Sequence, residues 1–161
     1  MVAVVIQMSV INSNVFGPLR YSQAEREFIA TVDNRGVTVT IEFACEHKSY
    51  INTLLPFAEK IWRRRAAIFK KYREHITCEL LEILNGCLDC GEDDPPQLSR
   101  AELSRIVAKP TEMTFFLDGN EYDTLAFAVS GSYHPQLHRH TFCVFFDEDL
   151  SITDGEVVPL Y

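Results

Sequence analysis

Three histidines near the carboxyl end of the chain have the side-chain type and spacing of metal ligands. His138 and His140 would point to the same side of a strand running from His138 to Phe146, and His134 would approach from a preceding loop. Neither a helical HExxH motif nor a fixed carboxylate accompanies them, so a pair of ordinary strand histidines is the simpler interpretation. We therefore expect no metal or other cofactor. A metal-dependent enzyme using His134, His138 and His140 is the alternative function.

Acidic residues cluster in two segments. The first is Glu92-Asp93-Asp94, and the second contains Asp147, Glu148, Asp149, Asp154 and Glu156. Asp147, Asp149 and Ser151 alternate as the first ligands of a calcium-binding EF-hand do. The sixth position of that loop is Ile152 rather than Gly and the twelfth is Val158 rather than Glu, so calcium is disfavoured. Each segment has two possible interpretations. It can be a solvated loop or strand end, or it can be part of an acidic surface that contacts a basic protein.

Basic residues concentrate in a third segment. Seven lie between Lys60 and Arg73, with no acidic residue among them. A solvated helix face accounts for such a run. A binding site for a phosphorylated ligand, formed by Arg63, Arg64 and Arg65, is the alternative.

The five cysteines are an odd number, so they cannot all pair within one chain. This favours a reducing cytoplasm, in which several thiols act as small buried side chains. Cys87 and Cys90 form a lone CxxC motif that follows a predicted helix. A zinc site would require a second pair of cysteines, and a thioredoxin-like motif would lie at the start of a helix. Neither zinc binding nor redox chemistry is therefore favoured.

Composition and charge bound the class of protein. The chain has 161 residues, of which 47% are hydrophobic and 24% charged, as expected for a single soluble domain spanning residues 1–161. Its net charge of −8 disfavours nucleic acid and anionic membranes as partners. No membrane-spanning run and no signal-peptide pattern is present, and the sequence also lacks GxGxxG, Walker and GxSxG motifs. An enzyme is thus unsupported, and the oligomeric state is left open.

Hydrophobic periodicity predicts the elements of the first half. A run rich in Val and Ile, without Gly or Pro, predicts a strand over 3–11. Alternating apolar residues predict a hairpin of 26–33 with 37–44, turned at Asn34-Arg35-Gly36. A three-to-four spacing then predicts helix from Ile51 to Leu84. One straight helix of that length would measure about 50 Å, against a domain diameter of roughly 40 Å. We therefore expect two helices that meet between Lys70 and Thr77, the second ending at Asn85-Gly86. Pro56 should lie in the first turn of the first helix or kink it.

The second half reads as a short helix followed by strands. Ser99 and Glu102 form a capping box that opens a helix ending near Ala108. Strands are predicted over 112–117, 122–130 and 138–146, and a last hairpin should turn at Asp154-Gly155. The predicted fold is α+β: an antiparallel sheet, with two longer helices and one short helix inserted between its N-terminal and C-terminal strands.

Several short motifs resemble those of a known family. They are FGPLRY (Phe16 to Tyr21), the hairpin, the two-helix segment, LHRHTF and DEDLSITDGEVV. In this order they resemble the bacterial domain of unknown function family 2262, from about Val15 to Val158. The resemblance implies an α+β bacterial cytosolic domain without an assigned activity or catalytic residues. By analogy, small acidic domains of this kind often serve as immunity proteins.

Together these observations predict a non-catalytic protein-binding domain, most concretely an immunity-type protein that binds and neutralises a bacterial toxin in the cytoplasm. The expected partner is a basic toxin domain, because opposite charge speeds encounter. The predicted contact residues are Glu92, Asp93, Asp94, Asp147, Glu148, Asp149, Asp154 and Glu156.

Overall fold

The computed structural model describes residues 10–88, 97–107, 109–119, 123–131 and 134–160. The strands there are β1 (Val10–Ser13), β2 (Gly17–Ser22), β3 (Glu27–Asn34), β4 (Val37–Ala44), β5 (Pro110–Asp118), β6 (Thr124–Gly131), β7 (His140–Asp147) and β8 (Ile152–Pro159). The helices are α1 (Ile51–Arg63), α2 (Arg65–His75), α3 (Leu81–Leu88) and α4 (Arg100–Ile106), all between β4 and β5. This arrangement confirms the α+β prediction.

The eight strands form one sheet in which spatial order equals sequence order. Every neighbouring pair is antiparallel except β4 and β5, which run parallel in the middle of the sheet. Antiparallel neighbours need only short turns, whereas a parallel pair needs a crossover, which the helices supply. The sheet is therefore two four-stranded meanders joined by a helical layer.

Aromatic residues attach that helical layer to one face of the sheet. Phe115 of β5 stacks on Phe43 and on Phe127, each at 5.7 Å between ring centroids, and Phe127 stacks on Phe146 at 4.9 Å. Phe57 of α1 contacts Phe115 and Phe127 edge-on at 5.9 and 6.1 Å. Because the strands alternate, the residues between these rings point to the opposite face.

The structure confirms the first hairpin and the capping box. The Gly36 amide donates to the Asp33 carboxylate at 3.1 Å, and Arg35 and Gly36 have φ of 56° and 82°, as a tight hairpin turn requires. At the start of α4, Ser99 and Glu102 each accept a hydrogen bond from the backbone amide of the other. Both features are local in sequence, which is why the pattern predicts them.

The helical segment divides earlier than predicted. The break lies at Arg64, which has φ −102° and ψ 9°. The side chain of Arg65 turns back and donates to the Trp62 carbonyl at 3.1 Å, and it thereby caps the end of α1. Although α2 ends at His75, its helical backbone continues through a π-helical turn, Ile76–Leu80, into α3. Pro56 lies inside α1, five residues after its first residue.

The predicted stop at Asn85-Gly86 is wrong, since α3 continues to Leu88. The Asn85 side chain instead donates to the Leu98 carbonyl at 3.1 Å and accepts from the Leu98 amide at 3.0 Å. It thereby fastens the segment before α4 to α3.

The last hairpin also differs from the prediction. It turns between Asp147 and Ile152, and Asp154-Gly155 lies inside β8. Gly155 packs closely against the side chain of His75, because a β-carbon at this position would lie 2.8 Å from Cδ2 of that residue.

The amino-terminal strands shift as well. The predicted strand over 3–11 lies mostly outside the described residues. Within the described residues, β1 begins at Val10 and continues to Ser13. The turn between β1 and β2 covers residues 14–16, because β2 begins at Gly17. None of the described helices has the length and apolar character needed to cross a membrane.

Candidate functional site: the uncovered face of the sheet

The face of the sheet opposite the helices is called the uncovered face here, because no helix of the described residues packs on it. Its ionisable side chains are mostly acidic. The carboxylates are Glu27, Asp33, Glu42, Glu112, Asp118, Asp147, Asp154 and Glu156, and Arg20 is the one basic residue with them on the described strands. A net negative field therefore covers this face.

Three of these carboxylates lie close enough to repel one another. Partial burial, followed by the charges of Glu42 and Glu25, raises the pKa of Glu27 to about 7. Burial and then the charge of Glu42 also raise the pKa of Glu112. Glu42 itself accepts a hydrogen bond from the Thr114 hydroxyl at 3.2 Å. The centre of the face thus holds three neighbouring carboxylates, and Arg20 of β2 is the one cation on the same face of the described strands.

A thiol lies in the same surface. The strand register places Glu112, Ser130, Cys143 and Glu156 side by side on β5, β6, β7 and β8. Burial raises the pKa of Cys143, and the charges of Glu156 and Glu112 raise it further, whereas a hydrogen bond with Ser130 lowers it. Because the thiolate is the reactive form, this environment makes Cys143 a poor nucleophile.

An aromatic pair adds an apolar patch to the uncovered face. Phe116 and Phe145 meet edge-to-face at 6.4 Å and are both partly exposed. Their strand partners include Ala126 and Ala128, whose small side chains leave the two rings raised above the surface. Partly exposed aromatic rings are typical anchors of protein interfaces.

The acidic residues predicted as contacts have different roles. The Asp147 carboxylate accepts from the amides of Asp149 and Ser151 at 3.0 and 2.9 Å, so it holds the turn together. Glu148 and Asp149 are exposed on that turn. Asp154 and Glu156 are exposed on β8, on the uncovered face. Glu92, Asp93 and Asp94 lie outside the described residues.

The histidines do not have the predicted arrangement. His138 and Arg139 both have positive φ, of 45° and 64°, so the strand begins only at His140 and the expected same-side pair does not form. His134 Nδ1 accepts from the Gln136 amide at 3.2 Å, and His140 Nδ1 lies 3.1 Å from the Leu137 carbonyl. Within the part of the chain that the structure describes, no three His, Cys, Asp or Glu side chains group as metal ligands.

The cysteines have mixed environments. Cys45 is buried, and burial raises its pKa to about 11. Cys78 and Cys87 are exposed, and Cys90, the second cysteine of the CxxC motif, lies outside the described residues.

The basic segment is split by the break at Arg64. Arg63 and Arg65 line a cavity beside α2, whereas Arg64 is exposed and is not part of the cavity wall.

Sequence reasoning missed Glu27, Glu42 and Glu112. For Glu27 and Glu42 the signal was present, because they alternate with the core residues Phe28 and Phe43 in the predicted hairpin. Glu112 joins them only through the parallel pairing of β4 with β5, which depends on contacts distant in sequence.

Comparison of this chain with known protein families, with curated proteins and with solved structures finds no match.

Proposed function

We propose that this chain is a non-catalytic protein-binding domain that binds a basic partner through the uncovered face of its sheet. Its most concrete form is an immunity-type protein that neutralises a bacterial toxin in the cytoplasm. The observation that carries the proposal is the charge of this face, which has eight carboxylates and one guanidinium on the described strands.

The shape and chemistry of the face suit a protein surface. A sheet of eight strands offers a broad area, in which Phe116 and Phe145 supply an apolar anchor. The surrounding carboxylates would steer a basic partner and fix its orientation. The toxin assignment itself rests on analogy with small acidic domains and on the resemblance to family 2262, which both remain proposals.

The raised pKa of Glu27 gives the interaction a pH dependence. A partner lysine or arginine placed near Glu27, Glu42 and Glu112 would favour the ionised forms, so binding would release protons. Affinity should therefore rise between about pH 5 and pH 8, as Glu27, with its pKa of about 7, loses its proton.

The test is capture of the partner by the tagged chain from the cells that produce it, at physiological salt. We compare the wild type with a triple reversal at three exposed residues, Glu148→Lys, Asp154→Lys and Glu156→Lys. The matched control reverses three exposed acidic residues of the helical layer, Glu74→Lys, Glu79→Lys and Glu82→Lys. Both variants change the net charge equally, so only position differs.

The proposal predicts one stoichiometric basic partner that the sheet variant loses and the control variant retains. If that partner is a toxin, co-expression of the wild-type chain should restore growth and the sheet variant should not. Equal capture by both variants, or no partner at all, would contradict the proposal.

A further inference from the structure

A cavity of about 480 Å³ opens beside α2, on the helical side of the molecule. It lies between the β3–β4 turn, the junction of α1 with α2, and the start of β5. Since β4 and β5 are parallel, their first residues lie at the same edge of the sheet, and this brings Val37 and Pro110 to one wall of the cavity. The volume is within the range of small-molecule sites, roughly 300–1,000 Å³.

The wall of this cavity has one sign of charge. Its ionisable residues are Arg35, Arg63, Arg65, Arg73 and Lys109, and no acidic residue of the described part of the chain lines it. Arg35, Arg63 and Lys109 form no ion pair with the described residues. In a chain of net charge −8, these three cations around one opening repel one another, and a bound anion would relieve that repulsion.

One of these guanidinium groups is held in place before any ligand binds. Arg65 Nε donates to Asn34 Oδ1 at 3.0 Å, Nη1 donates to the Trp62 carbonyl at 3.1 Å, and the group lies 4.8 Å from the centre of the Trp62 ring. These contacts order a long side chain at the cavity wall, so binding loses less conformational entropy there.

Apart from Asn34, the remaining wall is apolar. Val37, Phe69 and Pro110 form this apolar part of the cavity wall, beside the cations. Guanidinium groups match the geometry of phosphate oxygens, and apolar walls cover the uncharged part of a small organic molecule. From this combination we propose that the cavity binds a small phosphate-bearing organic molecule, such as a nucleoside polyphosphate.

The acidic uncovered face argues for a small ligand rather than a long polyanion. A nucleic acid that extends beyond the cavity would meet the field of a chain whose net charge is −8. A ligand whose charges all lie within the cavity avoids that repulsion.

The experiment is calorimetric titration of the full chain with ATP, inorganic pyrophosphate, citrate and a short single-stranded RNA at fixed salt. The double variant Arg63→Glu with Lys109→Glu reverses two cations of the cavity. Its matched control, Lys60→Glu with Arg64→Glu, changes the charge equally at exposed residues outside the wall. A neutral pair, Arg63→Gln with Lys109→Gln, replaces the reversal if that variant fails to fold.

We expect ATP and pyrophosphate to bind the wild type, with at least about a tenfold loss in the cavity variants and less than about a threefold change in the control. ATP should bind more tightly than pyrophosphate, because it alone fills the apolar part. Absence of phosphate binding at millimolar ligand, or equal losses in both variants, would overturn the proposal. Citrate binding as tight as pyrophosphate would overturn the phosphate preference, and tighter binding of single-stranded RNA would overturn the small-ligand assignment.

This inference is independent of the proposed function. The sheet variant Glu148→Lys, Asp154→Lys and Glu156→Lys should bind phosphate compounds at least as well as the wild type. Loss of the protein partner with retained phosphate binding would separate the two.

Discussion

The uncovered face and the basic cavity lie on opposite sides of one sheet and carry opposite charge. On the uncovered face, Glu27, Glu42 and Glu112 stand close together, and burial followed by repulsion raises the pKa of Glu27 to about 7. At the cavity, Arg65 is fixed by Asn34 and Trp62 and faces other cations. The net charge of −8 conceals this separation.

The two regions differ in how their charges are arranged in space, and this arrangement determines which kind of partner suits each region. The carboxylates of the sheet are fixed by strand register and spread over a broad surface, which suits another protein. The cations of the cavity converge on a small volume, which suits a small anion. The net charge of the whole sequence predicts a basic protein partner, but it does not reveal a binding site for a small anion.

The largest stability effect should come from Arg65→Ala. This change removes two hydrogen bonds and one cation–π contact, and should lower the free energy of unfolding by about 2 kcal/mol. Arg64→Ala, one residue away and exposed, should change it by less than about 0.5 kcal/mol. Urea unfolding of both variants checks this, and equal effects would show that Arg65 is not a fixed part of the cavity wall.

Asp147→Ala should have the next largest effect. Loss of the carboxylate that holds the β7–β8 turn should cost about 1 kcal/mol, whereas Glu148→Ala should leave stability unchanged. Thermal unfolding measures both. If Asp147→Ala unfolds like the wild type, Asp147 belongs with the exposed contact residues and its role in the turn is refuted.

Glu27→Gln should alter the pH dependence of stability. The folded-state pKa of Glu27, about 7, exceeds its ordinary value of 4.5, so the folded state binds the proton more tightly. The resulting stabilisation is complete below about pH 4.5 and is lost as the pH rises through about 7. Unfolding midpoints from pH 5 to 8 should therefore fall less steeply in Glu27→Gln than in the wild type. Parallel profiles would show that repulsion on the uncovered face is weak.

The smallest effect is a ranking of thiol reactivity. Exposed Cys78 should react with iodoacetamide faster than Cys143, whose thiolate is disfavoured by burial and neighbouring carboxylates, and buried Cys45 should react last. Mass spectrometry of the intact folded protein over time gives the order. Fast labelling of Cys143 would indicate an uncovered face less acidic than described.

Local patterns predicted much of the fold. The β3–β4 hairpin and the capping box of Ser99 with Glu102 depend on residues only a few positions apart, and both are confirmed. The helix break at Arg64 was not predictable from local spacing, since the Arg65 side chain that caps α1 is also bonded to Asn34, a residue of the hairpin. Gly155 resembled a turn residue, but its role comes from His75, a residue distant in sequence.

The candidate sites were predictable only in part. The sequence singles out Asp154, Glu156, Arg63 and Arg65, since charged runs are visible without a structure. It does not reveal that Glu112 joins Glu42 across the parallel pair, nor that Arg35 and Lys109 reach the cavity of Arg63. Pairings between distant segments create both sites.

The most direct test of the uncovered face is carbodiimide labelling of carboxylates in the captured complex, read by mass spectrometry. Binding through this face predicts that Glu112, Asp154 and Glu156 lose labelling when the partner is bound, while the exposed helical residues Glu79 and Glu82 keep theirs. Protection of Glu79 and Glu82 with unchanged labelling of Asp154 and Glu156 would place the partner on the helical layer and contradict the account.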